Sequence, residues 1–124
     1  TREAAPLGIA QLLGRASVRS RLDGDQKILW SFLTKEDFEK TARSPKDISL
    51  VLEHLDSSFP KHSVSASLWQ DPVDNKVYAT LSGEHQTLEA IKSRGGGEFQ
   101  SPYLKLSQAF DSFREAEEKI AALF

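Results

Sequence analysis

The sequence predicts a single α/β domain, with α+β as the alternative arrangement: one mixed β-sheet of about four to five strands flanked by helices. Stretches with the helical period alternate with stretches of strand character, in the order helix, strand, two helices, hairpin, helix, strand, helix. The run Lys27-Ile28-Leu29-Trp30-Ser31-Phe32-Leu33 is apolar on both faces, as a strand covered from two sides requires. Ile48, Val51, Leu52, Leu55 and Phe59 form a stripe along one side of a helix that must lie on a core.

Pro6 opens the first segment, where Leu7, Ala10 and Leu13 recur at helical spacing with Ile9 and Leu12 beside them. This predicts a helix over 7–20. Arg15, Arg19 and Arg21 give its second half a basic side, which is either a solvated face that suits the helix dipole or a contact for a polyanion. Asp23-Gly24-Asp25 is a turn signal, and the strand over 27–33 follows, with Trp30 and Phe32 on one face as core.

Thr34-Lys35-Glu36-Asp37 has the form of a capping box, a hydroxyl followed three residues later by an acid. It predicts a short helix to about residue 42. Ser44-Pro45-Lys46-Asp47 repeats the signal with Pro at the first helical position, where its missing N–H costs nothing. The striped helix follows. His54 falls off its stripe and is read as solvated. Val64, Ala66 and Leu68 alternate with Ser63, Ser65, Ser67 and Trp69, a half-buried strand. Asp71-Pro72-Val73-Asp74-Asn75 is a hairpin loop, and Val77, Ala79 and Leu81 mark the return strand. A helix over 87–93 carries Leu88 and Ile91 inward. A strand over 103–107 faces Leu104 and Leu106 inward. The last helix, capped by Asp111 or Ser112, buries Phe110 or Phe113, Ala116, Ile120 and Phe124.

The 124 residues suffice for one domain with a core. Apolar residues at 39%, charged residues at 27% and a net charge of −2 give no basic field over the whole surface, so any nucleic-acid contact must be a local patch. Cysteine is absent, which excludes disulfides, thiol nucleophiles and thiolate metal sites and permits a reducing compartment such as the cytoplasm. No apolar run approaches the roughly 20 residues of a membrane helix, and Thr1-Arg2-Glu3-Ala4-Ala5-Pro6 has no signal-peptide core. With no Met at its start, the chain is expected to be processed or cut from a longer one.

No catalytic constellation stands out. His54, His62 and His85 form no close metal-binding pair. There is no Gly-x-Ser-x-Gly elbow and no phosphate loop ending in Gly-Lys-Ser/Thr. Asp71 and Asp74 are turn formers. The unusual stretch is Lys92-Ser93-Arg94-Gly95-Gly96-Gly97-Glu98-Phe99, which holds three of the seven glycines. Free amides beside basic side chains suit a phosphate or another anion. The plainer alternative is a flexible helix-to-strand connection with Gly95 as the C-terminal cap.

Several phrases taken together resemble a known family. These are Leu12-Leu13-Gly14-Arg15, the run Ile28-Leu29-Trp30-Ser31-Phe32-Leu33-Thr34-Lys35-Glu36-Asp37-Phe38, the hairpin, Arg94-Gly95-Gly96-Gly97 and the terminal amphipathic helix. Their order is similar to that of the C-terminal, substrate-binding domain of the DHH phosphoesterases, which include RecJ-like nucleases, nano-RNases and exopolyphosphatase relatives. The resemblance spans nearly the whole chain. It implies residues 1–22 as a helix derived from the interdomain linker and residues 23–124 as the substrate-binding domain. It also implies an N-terminal catalytic domain, absent from this sequence, that carries the Asp-His-His motif and manganese.

The family's signature is four glycines followed by His. Here Gly95, Gly96 and Gly97 match, Glu98 stands at the fourth glycine and Phe99 at the histidine. The family's return strand ends Ser-Leu-Arg-Ser, with the Arg on a phosphate or carboxylate; Thr80-Leu81-Ser82-Gly83 occupies that place, with Ser82 at the Arg. Arg94 or Lys105 is the substitute cation. Glu98 would repel a phosphate within a Debye length, about 8 Å in physiological salt.

The expected function is therefore to hold a short nucleic acid or nucleotide on Arg94, Gly95, Gly96, Gly97, Lys105 and Ser82, with no cofactor on this chain and no turnover without the catalytic domain. The alternative is an interaction domain that has kept the fold and lost the ligand. Its face around Phe99 and Tyr103 would pack on the catalytic domain or on a second copy of the chain.

Overall fold

The computed structural model describes residues 4–25, 27–59 and 62–124, with side chains from residue 7 onward. In chain order the elements are α1 (Ala4–Val18), β1 (Ser20–Asp23), β2 (Ile28–Leu33), α2 (Lys35–Thr41), a 3-10 turn (Pro45–Asp47), α3 (Ile48–Ser58), β3 (Val64–Gln70), β4 (Val77–Gly83), α4 (His85–Gly95), β5 (Glu98–Gln100), β6 (Tyr103–Lys105) and α5 (Phe113–Ala121). The strands form one mixed six-stranded sheet in the order β1-β2-β3-β4-β6-β5. Among the described residues, only β2 and β3 pair in parallel, and the crossover between them carries α2 and α3.

The mixed α/β class is as predicted, but the sheet has two strands more than the order read from the sequence. One is β1, which lies where the first helix was expected to end. The helix stops at Val18, and Arg21 takes register with Trp30 in an antiparallel pair. This edge strand is largely exposed and so shows no alternation of apolar and polar residues. The other is β5, three residues that follow the glycines directly and pair with β6.

Alternating residues along the strands sort the core into two clusters. Ile28, Trp30, Ala66, Leu68, Ala79, Leu81 and Leu104 meet Leu88 and Ile91 of α4 and Ala116 and Ile120 of α5. Leu29, Leu33 and Trp69 meet Leu12 and Ala16 of α1, Phe38 of α2 and Val51, Leu52 and Leu55 of α3 on the other side. Strand β3 was expected to be half-buried. It is buried on both faces, because α3 covers Ser65 and Ser67.

Local signals explain the framework. Thr34 caps α2, and the full capping box forms with Asp37. The Asp37 carboxylate is fully buried and also pairs with Arg15 at 3.0 Å and with Arg19, tying α1 to α2. Burial pushes its pKa up, but the Thr34 N–H and the two guanidinium groups outweigh burial and hold it below the ordinary value. Arg21 pairs with Glu117 of α5. Arg15 of α1, Arg19 just beyond it and Arg21 of β1 each therefore have a carboxylate partner within the chain, while remaining partly exposed. His54, expected in solvent, is half-buried with its Nε2 3.0 Å from Ser17 Oγ. Ser112 caps α5 through the Glu115 N–H. Among the described residues, no helix is long and apolar enough to cross a membrane.

Candidate functional site

On the α1–α2–α3 side of the sheet, α3 lies over β3, and a trough runs between it and the β4–β6–β5 half. Strand register dictates the floor. Ser65 stands opposite Ser82, Ser67 opposite Thr80 and Trp69 opposite Tyr78. Thr80 stands opposite Lys105, and Tyr103 opposite Gln100. Successive residues of a strand point to opposite faces, so these side chains share the α3 side while Leu81 and Leu104 point the other way.

One end of the trough is a cleft of about 530 Å³ whose walls include Asp56, His62, Ser65, Ser82 and Glu84. Asp56, near the end of α3, accepts from the Ser65 hydroxyl at 2.6 Å and from the Ser82 hydroxyl at 2.8 Å. His62 Nε2 lies 2.7 Å from Ser65 Oγ and 3.3 Å from Asp56 Oδ1. Serine, histidine and aspartate are together here, but not as a nucleophilic relay, which needs the carboxylate on one ring nitrogen and the hydroxyl on the other. Here a single nitrogen faces both, the hydroxyl proton goes to the carboxylate, and Ser65 is fully buried. The cluster is a latch that ties α3 to β3 and β4. A second cleft, about 470 Å³, continues past Glu53, Asp56, Ser82 and Gly83 to Tyr103.

Rings and a cation form the other end. Trp69 and Tyr78 stack with centroids 5.1 Å apart, and Lys105 Nζ stands 5.5 and 5.2 Å from their centroids. No ion pair among the described residues engages Lys105. The Trp69 Nε1–H donates to Thr80 Oγ1 at 3.1 Å. The Tyr78 hydroxyl donates to Asp74, which raises the phenol pKa and lowers that of the carboxyl. Burial, with Glu53 and Asp56 nearby, raises the Tyr103 pKa. Between Tyr103 and the start of α3 lies a smaller cavity of about 220 Å³.

Two of the residues singled out in the sequence, Ser82 and Lys105, lie on this floor. Arg94 and the glycines lie at the end of α4 and on the outer side of β6. Arg94 is exposed and donates to the Leu123 carbonyl at 2.6 Å. A Cβ on Gly95 would come 2.7 Å from Leu123 Cδ1. The cap of α4 is Gly96, not Gly95: it has φ +75° and its N–H donates to the Lys92 carbonyl at 2.7 Å. Gly97 has φ +143°, and a Cβ there would come 2.8 Å from the Lys105 carbonyl. Each glycine therefore has a steric reason within the fold itself.

Phe99 shares the face of Leu104, opposite to Tyr103, and its ring lies 5.0 Å from that of His85 in α4. The expected common face of Phe99 and Tyr103 does not form. The latch, with Asp56, His62 and Ser65, was not visible in the sequence, since it joins three elements with no local motif. Thr80 and Trp69 were within reach, because hairpin register alone places them with Ser82. Among the described residues, no three His, Asp or Glu side chains gather to hold a metal ion.

No protein-family model matches the sequence, and no curated protein matches it. Among solved structures, the chain is similar to an exopolyphosphatase-related protein from Bacteroides fragilis, with a TM-score of 0.75 and 14% identity. The superposition covers 94% of this chain and 34% of that one, so the chain spans about a third of that protein's length. At this identity the likeness establishes a shared fold.

Proposed function

We propose that this chain is the substrate-holding domain of a DHH-type phosphoesterase, with the trough beside α3 as its substrate face. The observation that carries this reading is the fold likeness to an exopolyphosphatase-related protein of which this chain spans only 34%. The larger remainder is the natural place for catalysis, and manganese belongs to that part by resemblance. The ligand is a nucleotide or short nucleic acid. Lys105 is its main phosphate contact, since the ammonium stands in the trough and makes no ion pair among the described residues, with Glu98 across the ladder on β5 as the opposing charge. Ser82 lines the trough, and Gly97 lies against the Lys105 carbonyl at its edge, while Arg94, bonded to the Leu123 carbonyl on the α4–α5 side, contributes only longer-range positive charge.

Titration of short RNA against the chain at low salt tests this reading. The wild type should bind weakly, Lys105→Ala should bind several-fold more weakly, and the salt dependence should fall by about one counterion. An absence of binding, or equal binding by the variant, overturns it.

The acidic end favours a second reading. Around Ser82, which the resemblance aligns with the family's arginine, the walls hold Glu53, Asp56 and Glu84. Such a surface repels phosphate and suits a basic side chain of a catalytic domain or of a second copy. In that case light scattering would show a dimer of the chain, or a complex with an added catalytic domain, that Asp56→Lys dissolves. A monomer that also fails to bind the catalytic domain removes this alternative.

A further inference from the structure

We propose that the small cavity between the start of α3 and the β4–β6–β5 strands is a pocket for a planar, hydrogen-bonding nitrogen heterocycle, the base of a nucleotide whose phosphate lies on Lys105. The inference rests on the preceding reading for the phosphate and adds the recognition of the ring.

Size comes first. At about 220 Å³ the cavity lies below the roughly 300–1,000 Å³ of pockets for drug-sized molecules, and it is matched to a single ring system. Chemistry comes next. Tyr103, Trp69 and Ile48 supply apolar wall, and Thr80, Gln100 and Ser101 supply polar groups. Aromatic walls with a few placed polar groups are what a base requires, since every base has a π-face and an edge of donors and acceptors.

Thr80 is the most telling of these groups. It is only 6% exposed, and its oxygen already accepts from the Trp69 indole. A hydroxyl also has one proton to donate, and among the described residues that proton has no acceptor. Ser67, the register partner of Thr80, is fully buried, and its hydroxyl has no partner among the described residues. Ser67 lies beneath the cavity and does not line it, so the unspent capacity open to a ligand is that of Thr80, of a kind natural interiors rarely leave.

Charge separates this cavity from its neighbours along the trough. The two clefts at the other end carry Asp56 with Glu84 or Glu53 in their walls. This one carries no carboxylate, and its charged wall residue is Lys46. Lys105 stands directly across the ladder from Thr80 and over the Trp69 ring. A phosphate on Lys105 and a ring beside Thr80 are therefore adjacent.

Calorimetry on the 124-residue chain at low salt tests the inference with four kinds of ligand: the common ribonucleosides, their 5′-monophosphates, inorganic tripolyphosphate, and toluene. At least one nucleoside should bind, and its monophosphate should bind about tenfold tighter. Thr80→Val and Gln100→Ala should each weaken the nucleoside several-fold and leave tripolyphosphate unchanged. If Thr80→Val fails to fold, Gln100→Ala carries the test, since Gln100 is an exposed side chain on the edge strand. Binding of tripolyphosphate with no nucleoside overturns the inference and spares the phosphate reading. Binding of nucleosides with no tripolyphosphate keeps the ring pocket and overturns the phosphate on Lys105. No binding of any ligand removes both, and toluene binding as tightly as the nucleoside reduces the cavity to an apolar slot and overturns the inference.

Discussion

Asp56 holds the Ser82 hydroxyl at 2.8 Å, so the side chain expected to bind substrate, which the resemblance aligns with the family's arginine, is committed to a carboxylate. Ser82→Arg alone should therefore bring no gain in phosphate binding, because the new guanidinium pairs with Asp56. Ser82→Arg combined with Asp56→Ser should raise tripolyphosphate affinity several-fold over the wild type. Titration of the three proteins at low salt checks this, and a gain from the single variant would contradict it.

Asp37 links acid stability to the junction of α1 and α2. Its pKa lies below the ordinary 3.8. The unfolded chain thus takes up this proton first as the pH falls. The stabilisation is complete above the ordinary carboxylate range and is lost as the pH drops through the lowered value. Asp37→Asn should cost about 2 kcal/mol at neutral pH, below the usual cost of breaking a fully buried pair because both guanidinium groups are partly hydrated. Urea unfolding between pH 7 and pH 2 should show the two proteins converging in stability at the acid end.

The glycines should differ in what they tolerate. Gly97→Ala forces a side chain onto the Lys105 carbonyl at a φ of +143° and should cost about 2–3 kcal/mol. Gly95→Ala meets the far end of the Leu123 side chain, which can move, and alanine gains about 0.8–1 kcal/mol in helix propensity. Its net effect should stay within about 1 kcal/mol. Thermal melts of both variants read this contrast.

The chain has two tyrosines, Tyr78 and Tyr103. Both should ionise above the ordinary 10.0, the first through its hydrogen bond to Asp74 and the second through burial. A spectrophotometric titration counts them together. Asp74→Asn should lower one of the two midpoints and leave the other in place.

Much of the fold was legible because its elements carry their own signals. Thr34 with Asp37 marks a helix start, the doubly apolar run of β2 marks a strand buried from both sides, and the stripe of α3 marks its inner face. The edge strands were not legible. Arg21 and Leu22 of β1 face solvent and show no period, and Glu98-Phe99-Gln100 is too short to show one. The trough was half legible. Ser82 and Lys105 emerged from the resemblance, but Asp56, His62 and Ser65 meet only because α3 crosses from β2 to β3 and ends beside β4. The glycine run drew attention for its composition, while Gly95 and Gly97 lie against Leu123 and the Lys105 carbonyl and Gly96 takes the positive φ that caps α4.

The outermost strands of the sheet are four and three residues long, and Arg21, Asp23 and Glu98 place charge along them. Short, charged margins are poor templates for a strand from another molecule. The protein is thus guarded against fibril-like stacking through its backbone. A partner is then better met through side chains, such as those along the trough beside α3.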